Sequence, residues 1–203
     1  MSAIIFLEGG GDSKELNVRC REGFRKLLEQ CGFKTRMPAT CACGGRSTVF
    51  DDFRTEHSNS TKGQYVAMWI DSEEPMADIE AAWKHLANVK TVPAWKKPAG
   101  ASDDQVLFMT TCMETYILTD HAALEQHYGS KRQLSALPPL NKGLEGRSRH
   151  DVQDKLVHAT RHCSNAYAKG KRSFEILGKL APAALRKHLP SFVRGYRILN
   201  EKL

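Results

Sequence analysis

The stretch "IIFLEGGGDSKEL", residues 4–16, decides the fold. Its apolar half does not alternate, so residues 3–8 read as a strand buried on both faces. Glu8 ends that strand, and Gly9, Gly10 and Gly11 follow at once. Asp12 is then placed to cap a helix, with Glu15 three residues later as its capping-box partner. Leu16, Cys20, Phe24, Leu27, Leu28 and Cys31 recur at helical spacing, and Gly32 stops the helix. A strand, a glycine turn and a helix make the first unit of a parallel sheet. The glycines have two readings. One is a tight turn and nothing more; the other is a site where backbone and carboxylates approach a phosphate or a metal ion.

The same alternation continues outward. A second strand is expected over about 35–43, ended by Gly44 and Gly45, and a short helix over 48–57 with Phe50 and Phe53 inward. "QYVAMWID", 64–71, is another apolar strand ending in an acid, and Pro75 blocks its continuation. "ADIEAAWKHLANV" reads as a helix, 92–104 as a long loop, "QVLFMTT" as a short strand and "CMETYILTDHAALEQHYG" as helical. Residues 129–150 are loop-rich, and the chain from 151 on is helical. The expectation is an α/β fold with a mostly parallel sheet flanked by helices. Residues 1–128 would form the catalytic core, and 129–203 a basic helical extension packed on it.

With 203 residues, 41% hydrophobic and 26% charged, the chain can bury a normal core. No run approaches the roughly 18 apolar residues that span a bilayer. The first residues read as a strand and a turn rather than a signal segment, so a cytoplasmic protein with no membrane partner is expected. Six cysteines, at 20, 31, 41, 43, 112 and 163, are too dilute for a disulfide scaffold and lack the spacing of a zinc site, so reduced, buried thiols are expected. Net charge is +7, but residues 145–203 hold 13 Lys and Arg against 5 Asp and Glu, and the remainder is −1. Such an asymmetry suits a polyanionic partner, nucleic acid first; its plain alternative is a solvated helical surface.

Ligands in open parallel sheets lie beyond the carboxyl ends of the strands. Three strand ends carry acids: Glu8 with Asp12, Asp71 with Glu73 and Glu74, and the run leading to Glu114 and Asp120. On an extended segment Asp71 and Glu73 face the same way, while Ser72 and Glu74 point elsewhere. Carboxylates crowded at one edge repel, and a hard cation such as Mg²⁺ or Mn²⁺ relieves that repulsion. Each acid also has a plain role: a cap for Asp12, a solvated turn for Glu73 and Glu74, a helix surface for Glu114. Glu8 is the hardest to explain so. The glycines fit neither G-x-x-x-x-G-K-[ST] nor G-x-G-x-x-G.

The order of acids resembles the Toprim pattern of topoisomerases, primases and OLD-family nucleases, carried here by "LEGGGD" with Glu8 and "IDSEEP" with Asp71 and Glu73. Almost the whole chain is similar to an uncharacterised bacterial Toprim-like family, domain of unknown function 4276, through "EGGGDSKELNVRCREGFRKLL", "ACGGR", "DSEEP", "CMETYILTD" and "YAKGKRSFEIL". The resemblance implies a Toprim-like fold and a metal-dependent nuclease. Glu8, Asp12, Asp71, Glu73 and Glu114 would be its acids. The lysine that OLD nucleases place near the scissile phosphate has no unique match here, and Lys169 and Lys171 in "YAKGKRSF" are the candidates for it. The second acid is Glu73 where the pattern has Asp. Glu8 is either a ligand or the general acid–base. "CGGR" resembles a phosphate cradle with Arg46 beside it, and Arg46, Lys169, Lys171 and Arg172 are the candidate nucleic-acid-binding residues. The likeness also implies an ABC-type ATPase partner in antiviral defence. A non-catalytic binding module, a nucleotide-acting phosphotransfer enzyme and a homo-oligomeric state stay open at this point.

Overall fold

The computed structural model of the protein describes residues 2–11, 13–61 and 63–203; Asp12 and the side chain of Lys171 lie outside what it describes. Four strands form one sheet in the order β2-β1-β3-β4, with every neighbouring pair parallel. They are β1 (Ala3–Leu7), β2 (Ala39–Ala42), β3 (Tyr65–Asp71) and β4 (Val106–Met109). Helices α1 (Lys14–Leu28), α2 (Arg46–Asn59) and α3 (Ala82–Asn88) connect them. After β4 come α4 (Met113–Thr119), α5 (His121–Tyr128), α6 (Arg149–Thr160), α7 (Lys171–Leu177), α8 (Pro182–His188) and α9 (Pro190–Lys202). The architecture is the α/β class expected from the sequence.

Each strand is apolar throughout because both faces of the sheet are covered. Ile5 and Leu7 of β1, Ala67 and Trp69 of β3, and Leu107 and Met109 of β4 face α1 and the C-terminal helices. The alternate residues Phe6, Met68, Ile70 and Phe108 face α2 and α3. Residues after 129 belong to the first of these cores: Val152, Leu156, Phe174, Leu177 and Phe192 are buried in it. No helix among the described residues is long and apolar enough to cross a membrane. All six cysteines are free; four are buried and Cys41 and Cys43 are half-buried. Burial pushes the Cys20 and Cys31 thiols up to about 12.

Several boundaries differ from expectation. Ser13 caps α1, its Oγ accepting the Leu16 N–H at 3.1 Å. The expected cap, Asp12, lies outside the described residues. Residues 34–36 form a tight helical turn, so β2 is shorter than read. The helix expected from residue 77 begins at Ala82, where the Trp83 N–H finds the Asp103 carboxylate at 2.8 Å. The run 112–129 breaks at Asp120, whose carboxylate accepts the Ala123 N–H and so caps α5. α6 starts at Arg149 rather than 151, because Ser148 accepts the Asp151 N–H.

Candidate functional site

Register places the site. Leu7 lies opposite Trp69, so Glu8 falls one residue before Asp71 along the paired strands. The Glu8 N–H donates to the Trp69 carbonyl at 2.9 Å, as a parallel ladder requires. The next donor, the Asp71 N–H, is met by the Glu8 carboxylate at 3.0 Å. The side chain of Glu8 thus takes over a place where a main-chain carbonyl would serve, and this fastens it to the end of β3.

Glu73 joins by a different route from the one the sequence suggests. It is not on an extended segment; its φ of +68° turns the chain in a region that L-residues seldom occupy. Its N–H bonds the Thr111 carbonyl at 3.0 Å, and its carboxylate meets Arg149. Glu74 points away, as expected, and accepts the Lys90 and Thr91 N–H groups at 2.8 Å each. The outcome is a set of three carboxylates, Glu8, Asp71 and Glu73, each of which brings one oxygen within 4.8 Å of the others'.

The cluster is buried, with side-chain exposure of 15% for Glu8, 10% for Asp71 and 6% for Glu73. Burial raises the Asp71 pKa well above the carboxylate range, and repulsion from Glu8 and Glu114 adds to it against the pull of Arg149. Glu8 is raised by burial too, opposed by Arg46 and by the Asp71 N–H. Asp71 Oδ1 also accepts the Met113 N–H at 2.9 Å. Two arginines supply countercharge. Arg46 Nη1 donates to the Asp71 carbonyl at 2.8 Å, lies 3.9 Å from Glu8, and its guanidinium covers Trp95 at 4.2 Å. Arg149 donates to Glu73 and lies 3.9 Å from Asp71.

In front of the acids is a cleft of about 430 Å³. It is lined by Gly9–Gly11, Gly44 and Gly45, by Lys169, Gly170, Ser173 and Phe174, and by Glu8, Asp71 and Glu114. The two glycine runs are tied by a pair of 2.9 Å bonds between Gly9 and Gly44. A Cβ on Gly9 would stand 3.0 Å from the Phe174 ring. Glycine therefore serves two ends here, close packing and bare backbone beside the acids.

Glu114 is buried and lines the cleft, yet it is outside the set of three; its carboxylate accepts the Tyr167 hydroxyl. Lys169 stands exposed at the mouth. Arg172 turns back onto the Ala166 carbonyl and does not line the cleft. Arg46 faces the acids and Trp95 with 10% of its side chain exposed, which is the setting of a counter-ion. Sequence reasoning missed Arg149, Tyr167 and the Met113 N–H. A basic "RSRH" at the start of a helix carries no spacing that ties it to Glu73, 76 residues earlier.

The donor set fits a hard divalent ion. It offers carboxylate oxygens only, the ligand type that Mg²⁺ and Ca²⁺ take. One oxygen from each residue lies within 4.8 Å of the others, close enough for a single ion to gather them. A family model described as a domain of unknown function (DUF4276) matches residues 7–196, and the chain belongs to that family. No curated protein and no solved structure matches the chain.

Proposed function

Starting from that membership, we propose that the protein is a divalent-metal-dependent phosphodiesterase of the Toprim type that cuts DNA or RNA. The observation that carries this reading is the convergence of Glu8, Asp71 and Glu73 from two strand ends, with Glu8 and Asp71 lining a glycine-rich cleft. The likeness to OLD-family nucleases in the order of these acids supports it. Glu8, Asp71 and Glu73 would hold the ion, and Mg²⁺ or Mn²⁺ suits an oxygen-only set. When bound, such an ion would lower the pKa of a bound water and offset charge on the phosphoryl oxygens.

The chain's own residues do the rest. The Met113 N–H keeps the Asp71 carboxylate aimed at the site, and the bond from the Glu73 N–H to the Thr111 carbonyl fixes the turn that carries Glu73. Glu8 is fixed at Oε2 by the Asp71 N–H, and its raised pKa suits it to hold or accept a proton at Oε1. Gly9–Gly11 and Gly44–Gly45 let a phosphate approach bare backbone, and Lys169 brings a positive charge to the mouth. The basic residues of the C-terminal third would add sequence-independent binding to phosphates. By the same likeness the protein would act as the nuclease of an ATPase-linked antiviral system, beside an ABC-type ATPase.

The test is cleavage of plasmid, single-stranded DNA and RNA with Mg²⁺ or Mn²⁺, alone and with any ABC-type ATPase encoded beside it. Cleavage lost in both Glu8→Gln and Asp71→Asn supports the reading. Cleavage that persists in both, or binding with no cleavage under any of these conditions, removes it. One observation favours a second reading, a binding module without chemistry. Arg149 and Arg46 already balance part of the acid charge from within the chain.

A further inference from the structure

Arg149 reaches the acids from a distant part of the chain. It is the first residue of α6, and the Ser148 hydroxyl caps that helix by accepting the Asp151 N–H at 3.2 Å. Its Nη1 donates to Glu73 Oε2, its Nη2 stands 3.9 Å from Asp71 Oδ2, and a quarter of its side chain is exposed. The neighbouring Arg147 has its own partner, Asp151, at 2.6 Å. Arg149 thus directs its charge at two of the three carboxylates that fit a metal ion.

A guanidinium cannot shed its proton, so Arg149 is a permanent cation at this place. It acts on Glu73 and Asp71 as an ion would, neutralising and converging them. It differs in being singly charged and tethered. A divalent ion among the same carboxylates meets the guanidinium as a like charge at close range, in surroundings that screen poorly.

We propose that Arg149 is the resident counter-ion of this site: it holds Asp71 and Glu73 together in the metal-free protein and yields its place to the divalent cation, so that it sets the affinity for that ion. This rests on the metal-dependent reading above. Displacement frees the guanidinium beside the cleft, where an anionic ligand is its next partner. It also releases the start of α6 from the end of β3.

The experiment uses the full chain and Mn²⁺ alone, with titration calorimetry and thermal denaturation. Arg149→Gln should bind Mn²⁺ about tenfold or more tightly than the wild type, because one opposing charge is gone. Its metal-free form should melt lower, and saturating Mn²⁺ should restore the difference. Arg149→Lys keeps the charge and should bind within about threefold of the wild type. In the wild type, Mg²⁺ should speed hydrogen exchange at the backbone of 147–152, the reverse of the protection that a ligand ordinarily gives. Should Arg149→Gln not fold without metal, the lysine variant and the wild-type exchange decide the matter. The proposal is overturned if Arg149→Gln binds Mn²⁺ no more tightly than the wild type. It is equally overturned if Mg²⁺ slows exchange at 147–152 or leaves it unchanged. If wild type and variants alike bind no Mn²⁺, the metal-dependent reading fails with it.

Discussion

At the scale of single residues, the acids of the cluster are kept against their own electrostatics. Burial and mutual repulsion raise Glu8 and Asp71, so each carboxylate charge is costly in the folded state without a cation. Glu8→Gln retains an oxygen for the Asp71 N–H and removes one charge. Its metal-free melting temperature should equal or exceed the wild type's, while the rise produced by Mn²⁺ disappears. A marked loss of stability without metal would show that the charge of Glu8 is structural. The glycines give a second test. A Cβ on Gly10 would lie 2.1 Å from Asn17 Oδ1 and 3.0 Å from Asn17 Cα, at a φ of +100°. On Gly11 it would meet nothing nearer than 3.8 Å, at a φ of +71°. Gly10→Ala should therefore cost about 3 kcal/mol or more, and Gly11→Ala about 1–2 kcal/mol, in urea unfolding. Equal costs would mean that α1 shifts to accommodate the methyl group. Glu8 and Asp71 could be singled out in the sequence because each interrupts an apolar strand at its carboxyl end. Arg149 could not, because a long-range ion pair leaves no mark on local periodicity.

At the scale of elements, the sequence showed which segments are strands and helices better than where they end. The four strands are apolar runs whose burial on two faces imposes their composition. Helix ends depend on caps, and several of those caps come from side chains that local spacing does not reveal. α9 is the clearest case. It begins at Pro190, and the Ser191 N–H is accepted by Glu145 Oε1 at 3.0 Å, a residue 46 positions earlier. The Ser191 hydroxyl donates to the same carboxylate. Burial raises the Glu145 pKa, and the two Ser191 bonds only partly offset this. Between the ordinary carboxylate pKa and the raised native one, the folded state binds more protons than the unfolded chain. The contribution of Glu145 to stability is therefore full below the ordinary value and declines as pH rises through the raised one. Glu145→Gln has no such proton to lose, so its stability relative to the wild type should improve as pH is raised from about 4 to about 7. Parallel unfolding curves for the two proteins across that range would refute this.

At the scale of the whole molecule, the excess of positive charge that the sequence places in the last third is partly consumed by the fold. Arg149, Arg194, Arg197 and Lys202 each face a carboxylate from earlier in the chain. Glu80, from the segment between β3 and β4, takes both Arg194 and Arg197. Counting charges along the chain thus overstates what a polyanion can use, and the placement of the remaining cations matters more. Lys169 lines the mouth of the cleft that holds the acids. Lys187 is exposed on α8 and lines a separate groove with Glu80 and Arg197. A strand seated across the cleft would touch Lys169 and leave Lys187 in solvent. Reversing the charge in Lys169→Glu should weaken binding of a single-stranded oligonucleotide. It should also reduce the slope of log K against log salt by about 0.7 for each phosphate that the protein no longer neutralises. Lys187→Glu makes the same change in net charge and should leave both affinity and slope near the wild-type values. If the two variants lose affinity alike, binding follows the overall charge of the protein. If only Lys187→Glu loses it, the strand lies along α8 and α9, away from Glu8 and Asp71, and the acids have no phosphate before them to act on.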